Sequence, residues 1–164
     1  MIILGIDPGT ATTGFGVIEM SKNGDLKLID YGCISTPPTQ KLPERLHQIS
    51  KDLEEIITAT QPDTAAVEEI FFSKNVKTAI HVAHARGAIL QKLSEHHLET
   101  QEYKPNQVKE AVCGYGQAEK KQVQRMVQIL LNMEQIPRPD DAADALAVAI
   151  CHANHAKMKL LTQS

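Results

Sequence analysis

The chain has 164 residues, of which 42% are hydrophobic and 23% are charged, and its formal net charge is −3. This length favours one domain, residues 1–164, with a core of its own and argues against a second independent domain. No apolar run is long enough to span a bilayer and no stretch resembles a signal peptide, so we expect a cytoplasmic protein that does not bind membranes. The three cysteines are predicted to be reduced, buried core residues: Cys33, Cys113 and Cys151.

The predicted elements begin with three strands, at residues 1–6, 13–20 and 26–35, and Asn23-Gly24 is typical of a hairpin turn between the last two. A helix at 42–58 and a strand at 64–70 follow. The remaining elements are helix 75–96, strand 98–103, and helices 105–112, 118–133 and 140–156, with residues 157–164 expected to fray. This order predicts an α/β fold with a mixed five-stranded sheet, three antiparallel strands followed by parallel ones, and helices on both faces.

An acid stands at the end of the first strand. Asp7 is followed by Pro8-Gly9, which turns the chain sharply. An acid here suits metal or phosphate binding, but Asp-Pro-Gly is also good turn chemistry by itself. An Asp-X-Gly-Thr turn also occurs in ATP-binding proteins of the sugar-kinase and actin type, although that fold needs two such domains.

Three further acids occur in apolar surroundings. Glu68 interrupts the fourth strand, and Asp141 and Asp144, which share a helix face, open an alanine-rich helix. If the first and fourth strands are neighbours and the last helix crosses their ends, these acids meet Asp7. Four oxygen donors suit Mg²⁺ or Mn²⁺, and two ions about 4 Å apart suit in-line displacement at a phosphodiester. Taken singly, Asp141 could cap the helix and Asp144 could be an ordinary surface residue.

Two other patterns are open to more than one interpretation. Positive charge is concentrated in residues 70–94 and 104–125, so a basic nucleic-acid surface can coexist with an acidic total, although solvated helix faces explain the charge equally well. Helix 75–96 has two apolar stripes, of which one faces the core and the other suits a partner subunit unless the helix is fully buried. The histidine pairs at 81 and 84 and at 152 and 155 lack matching ligands and are predicted to be structural or exposed.

The sequence resembles the RuvC family of Holliday-junction resolvases, which have an RNase H-like fold. The resemblance covers nearly the whole chain and rests on five motifs in order: ILGIDPGT with TGFGVI, VEEIFFSKN, HARG, QVKEAVCGYGQAEKKQVQRMV and DDAADALAVAI.

The resemblance implies a catalytic and metal-binding tetrad: Asp7, Glu68, Asp141 and Asp144. Asp140 remains a rival to Asp141, because it too lies one turn from Asp144, and we expect it to cap the helix or support the site from behind. For DNA binding, the family pattern implies Lys109 and Lys120 near the phosphates and Phe71 stacking on opened bases. The other predicted DNA-binding residues are Lys74, Asn75, Arg86 and Lys121, and the last of these fits an ordinary helix face equally well.

The implied activity is Mg²⁺-dependent endonucleolytic resolution of four-way DNA junctions by a homodimer in recombination and repair. The resemblance implies two Mg²⁺ ions per subunit, for which Mn²⁺ would substitute, and paired symmetric nicks that leave 5′-phosphate ends. The implied partners are junction-binding and branch-migration motor proteins of the RuvA and RuvB type. Other RNase H-like nucleases, such as RNA-degrading enzymes and transposases, would share the site, so the substrate must be tested.

Overall fold

The computed structural model describes residues 1–70 and 76–162, and in it five strands form one mixed sheet. The strands are β1 (Ile2–Asp7), β2 (Thr12–Met20), β3 (Leu26–Ser35), β4 (Thr64–Glu68) and β5 (Glu99–Tyr103). They lie in the order β3-β2-β1-β4-β5. The pairs β1–β2 and β2–β3 are antiparallel, whereas β1–β4 and β4–β5 are parallel. The predicted mixed sheet is confirmed, although β4 ends at Glu68, two residues before its predicted end.

Helices cover both faces of the sheet. The helices are α1 (Leu42–Thr60), α2 (Val76–Glu95), α3 (Pro105–Cys113), α4 (Lys120–Leu130) and α5 (Asp140–Thr162). Helices α1 and α2 pack together on one face, and α3 and α4 pack against α5 on the other. Among the described residues, no helix is both long and apolar enough to cross a membrane.

Two helices differ in extent from the prediction. Helix α5 continues to Thr162 instead of fraying after residue 156, because its last turns contain Lys, Met and Leu, which favour helix, and no Gly or Pro. Helix α4 is shorter than the predicted 118–133. It begins after Glu119, whose backbone N–H donates to the side chain of Gln122 at 2.8 Å and so caps the first turn.

The sheet separates two apolar cores. The core beneath α5 contains Ile3, Ile18, Leu146 and Ile150. The core beneath α1 and α2 contains Leu4, Ile6, Leu53 and Ile89. Alternate residues of β1 therefore enter opposite cores, as the pleat of a strand requires. This alternation fixes the face on which each side chain at the end of the strand lies.

Helix α5 lies very close to the backbone of β1 and β2, where both strands carry glycine. A Cβ atom at Gly5 would overlap the carbonyl oxygen of Ala145, and one at Gly14 would overlap the carbonyl oxygen of Asp141. A Cβ at Gly16 would lie 2.7 Å from the Cδ2 atom of Leu146. Only residues without a side chain allow this approach, so the glycines determine how near α5 comes to the end of β1.

The outward face of α2 is exposed, whereas its inward face is fully buried. Ala85, Ile89 and Leu93 have no exposed surface and pack into the core. On the opposite side Ile80 is 52% exposed, and the space around Gly87 is open. The helix is therefore not buried all round, and an exposed face that combines apolar and small residues with two histidines remains available for a partner.

The cysteines only partly match the prediction. All three are free thiols and Cys151 is buried, but Cys33 and Cys113 are half-buried. The prediction of three core cysteines is wrong for these two, because β3 is an edge strand and Cys113 closes a short helix at the surface. Among the histidines, His152 is buried and lies 2.8 Å from the hydroxyl of Tyr103. It thus has the structural role expected of it.

Candidate active site

Asp7 and Glu68 end neighbouring parallel strands at the same edge of the sheet. The register pairs Ile6 with Val67, so the next residue on each strand is one of the two acids. Ala66, two residues before Glu68, lies in the core beneath α5. Gly5, two residues before Asp7, touches α5. Because side chains alternate along a strand, both carboxylates lie on the α5 side.

The beginning of α5 supplies the other two acids. Gly14 pairs with Asp7 across β1 and β2, and the backbone of Asp141 lies directly over Gly14. The first turn of α5 is thereby placed beside the end of β1. Asp144 follows Asp141 by three residues and shares its helix face. The structure therefore brings together the four acids that the sequence predicted as a group.

Electrostatics support this placement for Asp7. The pKa of Asp7 is raised from 3.8 to about 8, chiefly by removal from water and then by the negative charges of Glu68, Asp144 and Asp141. Lys120 opposes the shift. A carboxylate among three others, largely shielded from water, is costly to ionise without a nearby cation. Asp7 is therefore the member of the group that most needs a positive ligand.

Glu68 and Asp144 are affected in the same way. Burial, followed by repulsion from Asp144, raises the pKa of Glu68 to about 7, although Lys109 and Lys120 partly offset this. Burial also raises the pKa of Asp144, while its hydrogen bond to Lys120 opposes the rise. The site therefore holds a surplus of negative charge that its lysines reduce but do not cancel.

Two lysines border the acids. A cleft of about 190 Å³ is lined by Lys109 of α3, Lys120 of α4, Glu68 and Asp144. The ammonium group of Lys120 donates to Asp144 Oδ2 at 2.9 Å. The motifs that suggested these lysines lie far from the acids in sequence, and the packing of α3 and α4 against α5 brings them to one place.

Asp140 lies outside this group. Its Oδ1 atom is 2.5 Å from Arg138 Nη1, and its Oδ2 atom is 3.7 Å from Lys120 Nζ. Slight burial would raise the pKa of Asp140, but hydrogen bonding and positive charge from Gln124, Lys120 and Arg138 outweigh it and lower the pKa. Asp140 therefore interacts with Arg138 and Lys120, and it is a weaker candidate for a metal ligand than Asp141.

The structure describes only some of the remaining residues that were predicted to contact DNA. Lys121 is exposed beside Lys120 on α4. Arg86 is half-buried and its guanidinium pairs with Glu102 of β5, so an internal partner already engages it. Both stay predictions. Three predicted contacts lie outside the described residues: Phe71, Lys74 and Asn75.

The donor chemistry of the site fits a hard divalent cation. Four carboxylates provide only oxygen, which Mg²⁺ and Mn²⁺ prefer. The pKa values of Asp7, Glu68 and Asp144 are raised by burial and by mutual repulsion, and a bound cation would relieve both. Cys33 lies nearby, but burial and then Asp141 raise its pKa to about 11, so it is not a thiolate ligand at neutral pH. Within residues 1–70 and 76–162, no three His, Cys, Asp or Glu side chains are already arranged to hold an ion.

Two further clefts meet at the acids. One, of about 270 Å³, is bounded by Asp7, Glu68 and the start of α2. The other, of about 520 Å³, runs from Asp141 past the turn after β1 to Arg45 on α1. Arg45 was not identified from the sequence. In the sequence, an arginine beside the apolar stripe of α1 cannot be distinguished from any other surface cation, because only the folded structure shows that it borders a cleft.

Comparison with known proteins agrees with this geometry. The family model described as crossover junction endodeoxyribonuclease RuvC matches residues 3–152. The crossover junction endodeoxyribonuclease RuvC of Alkaliphilus oremlandii is 55% identical over 154 residues, which are 94% of this chain and 93% of the relative. The RuvC structure from Thermus thermophilus matches with a TM-score of 0.90 and 36% identity, covering 97% of each chain. T. thermophilus RuvC in complex with a Holliday junction substrate matches with a TM-score of 0.88 and 34% identity, covering 96% of each chain. The fold is RNase H-like, and the chain belongs to the RuvC family of crossover junction endodeoxyribonucleases.

Proposed function

We propose that this protein is a metal-dependent endonuclease that resolves four-way DNA junctions by paired, symmetric nicks. The observation that most supports the proposal is the meeting of Asp7, Glu68, Asp141 and Asp144 at the open edge of the sheet. The match to T. thermophilus RuvC, whose solved complex contains a Holliday junction substrate, supports the choice of DNA substrate. The role in recombination and repair follows from that substrate.

The four carboxylates are the proposed ligands of two Mg²⁺ ions in each subunit, with Mn²⁺ as a substitute. When bound, the ions would supply activated water on one side of the phosphodiester and stabilise the leaving oxygen on the other. Asp7 and Glu68 are held by the sheet, whereas Asp141 and Asp144 are held by α5. The ligands thus come from two rigid elements whose spacing the glycines of β1 and β2 set.

Lys109 and Lys120 have a separate role in the proposal. Both line the cleft that contains Glu68 and Asp144. An ammonium group there can hold a non-bridging phosphate oxygen and neutralise charge that develops during cleavage. Lys120 donates to Asp144, so the proposal has its ammonium group exchange this carboxylate for a phosphate oxygen when substrate binds. The products are a 5′-phosphate and a 3′-hydroxyl, which a ligase can join.

A homodimer is proposed because a junction has two equivalent strands to cut. The exposed face of α2, with Ile80, Ala83 and Gly87, is the surface that we assign to the partner subunit. Small residues allow two helices to approach closely, and an apolar residue gains from leaving water. The other proposed partners are branch-migration proteins of the RuvA and RuvB type, in the cytoplasm of a bacterium.

The proposal is tested by incubating the protein and Mg²⁺ with a synthetic four-way junction. Linear duplex and RNA–DNA hybrid of the same sequence serve as parallel substrates. We expect symmetric nicks in two junction strands, ligatable products, and no comparable cutting of duplex or hybrid. Degradation of the hybrid with the junction left intact would instead indicate an RNase H activity. Failure to cut the junction with either Mg²⁺ or Mn²⁺ would overturn the proposal.

A further inference from the structure

A cleft of about 520 Å³ is lined by Asp141 and is separate from the cleft that Lys109 and Lys120 line. Its walls are the turn at residues 9–12, Arg45 of α1 and residues 78–82 of α2. Among the described residues, Asp141 is the one acid that lines it, and Asp141 also belongs to the acidic group. The cleft therefore continues the candidate active site toward α1 and α2, which cover the other face of the sheet.

Arg45 is held in place by a chain of hydrogen bonds. Its Nε atom donates to the hydroxyl of Thr36 at 2.7 Å, and that hydroxyl donates to the carbonyl oxygen of Thr10 at 2.6 Å. The hydroxyl of Thr10 donates in turn to the carbonyl oxygen of His81 at 2.6 Å. Both threonines are buried. The Nε atom of Arg45 thus belongs to a chain of hydrogen bonds that links α1, the turn after β1, and α2.

The outer part of the Arg45 guanidinium remains free to bind a ligand. A guanidinium has five N–H donors, of which the Nε donor is used. In the described part of the chain, the side chain of Arg45 makes no ion pair with a carboxylate and no hydrogen bond besides that to Thr36. Arg86 differs, because its guanidinium pairs with Glu102. Arg45 is accordingly a fixed cation facing a cleft, with a planar pair of donors that matches the oxygens of a phosphate.

We propose that this cleft binds a backbone phosphate of the DNA strand that is cut, next to the phosphate cleaved at the acids, with Arg45 as its anchor. The inference rests on the proposed function, since it takes the bound strand to pass the acidic group. A strand that enters past Lys109 and Lys120 and leaves past Arg45 would have cations on both sides of the scissile phosphate. Arg45 would then fix the register of the strand relative to Asp141.

The test replaces single phosphates near the cleavage site of a four-way junction with uncharged methylphosphonates. Binding is measured without Mg²⁺ for the wild-type protein, Arg45→Ala and Arg45→Lys. We expect one position at which the replacement weakens wild-type binding roughly 10-fold, because a charge-assisted hydrogen bond is lost. The same replacement should have no further effect on Arg45→Ala, and the slope of log affinity against log salt should fall by about 1 in that variant. Arg45→Lys should keep the slope but lose several-fold in affinity, because its ammonium cannot form the paired contact.

Lys51→Ala is the matched control, because Lys51 lies on the same helix with 62% of its side chain exposed. It should change neither the slope nor the methylphosphonate profile. Equal sensitivity of the wild type and Arg45→Ala at every position would overturn the inference. If Arg45→Ala does not fold, a wild-type profile with no sensitive phosphate beside the cleaved one would do the same. Loss of junction cleavage by the unmodified wild type would instead count against the proposed function.

Discussion

Lys120 of α4 donates a hydrogen bond of 2.9 Å to Asp144 of α5, and so places a cation within a group of mutually repelling carboxylates. The pair is about half exposed on the lysine side, so its direct contribution to stability is small. Its importance is positional. The same ammonium group is close enough to influence Asp7, Glu68 and Asp140.

Lys120→Ala is expected to lower the rate of junction cleavage by about 100- to 1,000-fold, because a preorganised donor to transition-state charge contributes that much. Single-turnover cleavage at saturating protein concentration measures this separately from binding. Lys121→Ala is the control, since Lys121 is the next residue and is exposed. Equal losses in the two variants would show that α4 supplies only general positive charge.

Asp7→Asn is expected to reduce cleavage by more than about 100-fold, because losing even a supporting contact to a metal ligand typically costs 10- to 100-fold. Junction binding should stay close to wild type, since Asp7 is an acid and repels phosphate. Cleavage and gel-shift titrations with the same junction measure both properties. Asp140→Asn is the matched control and should retain most activity. Normal cutting by Asp7→Asn in Mg²⁺ would contradict the metal-site assignment.

The metal-free protein is expected to lose stability as pH rises. Folding raises the pKa of Asp7 to about 8 and that of Glu68 to about 7, mainly by removal from water. The folded chain therefore binds these protons more tightly than the unfolded chain, and the free energy of unfolding falls between about pH 4 and pH 8.

Thermal melts in EDTA from about pH 5 to 8.5 measure this loss of stability. Asp7→Asn should melt above the wild type at the alkaline end and lose that advantage at the acidic end. Mg²⁺ should raise the wild-type melting temperature most above neutral pH, where the carboxylates are ionised. The opposite result would be a wild-type melting temperature that rises with pH in EDTA relative to that of Asp7→Asn. It would show that burial of the ionised acids does not destabilise the fold.

Gly14→Ala is expected to destabilise the fold by about 1–3 kcal/mol or more, because the added methyl group overlaps the carbonyl of Asp141. Movement of α5 would also separate Asp141 from Asp7 and reduce cleavage. Urea unfolding and cleavage of the four-way junction measure the two effects. Glu19→Ala, at an exposed position of the same strand, should be nearly neutral. If Gly14→Ala matched it in both assays, α5 would not depend on the close approach.

Ile80→Glu is expected to weaken the proposed dimer, because it places a charge on the exposed face of α2 in place of its large apolar side chain. Light scattering over a range of protein concentrations should show dissociation at a concentration at least about 10-fold above that of the wild type. Ile129→Glu is the control, since Ile129 of α4 is 59% exposed and lies outside that face. A dimer unaffected by Ile80→Glu would place the interface elsewhere.

Most of the fold could be predicted from local patterns. Strand alternation, the Asn23-Gly24 turn and the apolar stripes identified every strand and helix, and the order of elements gave the mixed sheet. Errors fell at the ends of elements. The last turns of α5 stay helical because favourable residues prolong a helix that is already nucleated and anchored, which a search for apolar faces does not detect.

The four acids of the candidate site were predicted from the sequence, because acids in apolar surroundings are conspicuous. The family resemblance added Lys109 and Lys120, but the hydrogen bonds that surround the site were not predicted. Arg45 was not predicted either, because its importance arises from hydrogen bonds to Thr36 and from a cleft that it helps to form. The half-exposure of Cys33 was missed for a similar reason, since it depends on the position of β3 at the edge of the sheet.

The sequence by itself determined the alternation of elements, the family resemblance and which carboxylates are candidates for a metal site, because each is written in residues close together along the chain. Only the tertiary structure decided that β1 and β4 are neighbours, and that Asp7 and Glu68 lie on the same face. It also decided that α5 packs against Gly14, that Asp140 pairs with Arg138, and that Lys120 donates to Asp144. These relationships join residues far apart in sequence, and their distances follow from the close packing of helix on sheet rather than from any local preference of the chain.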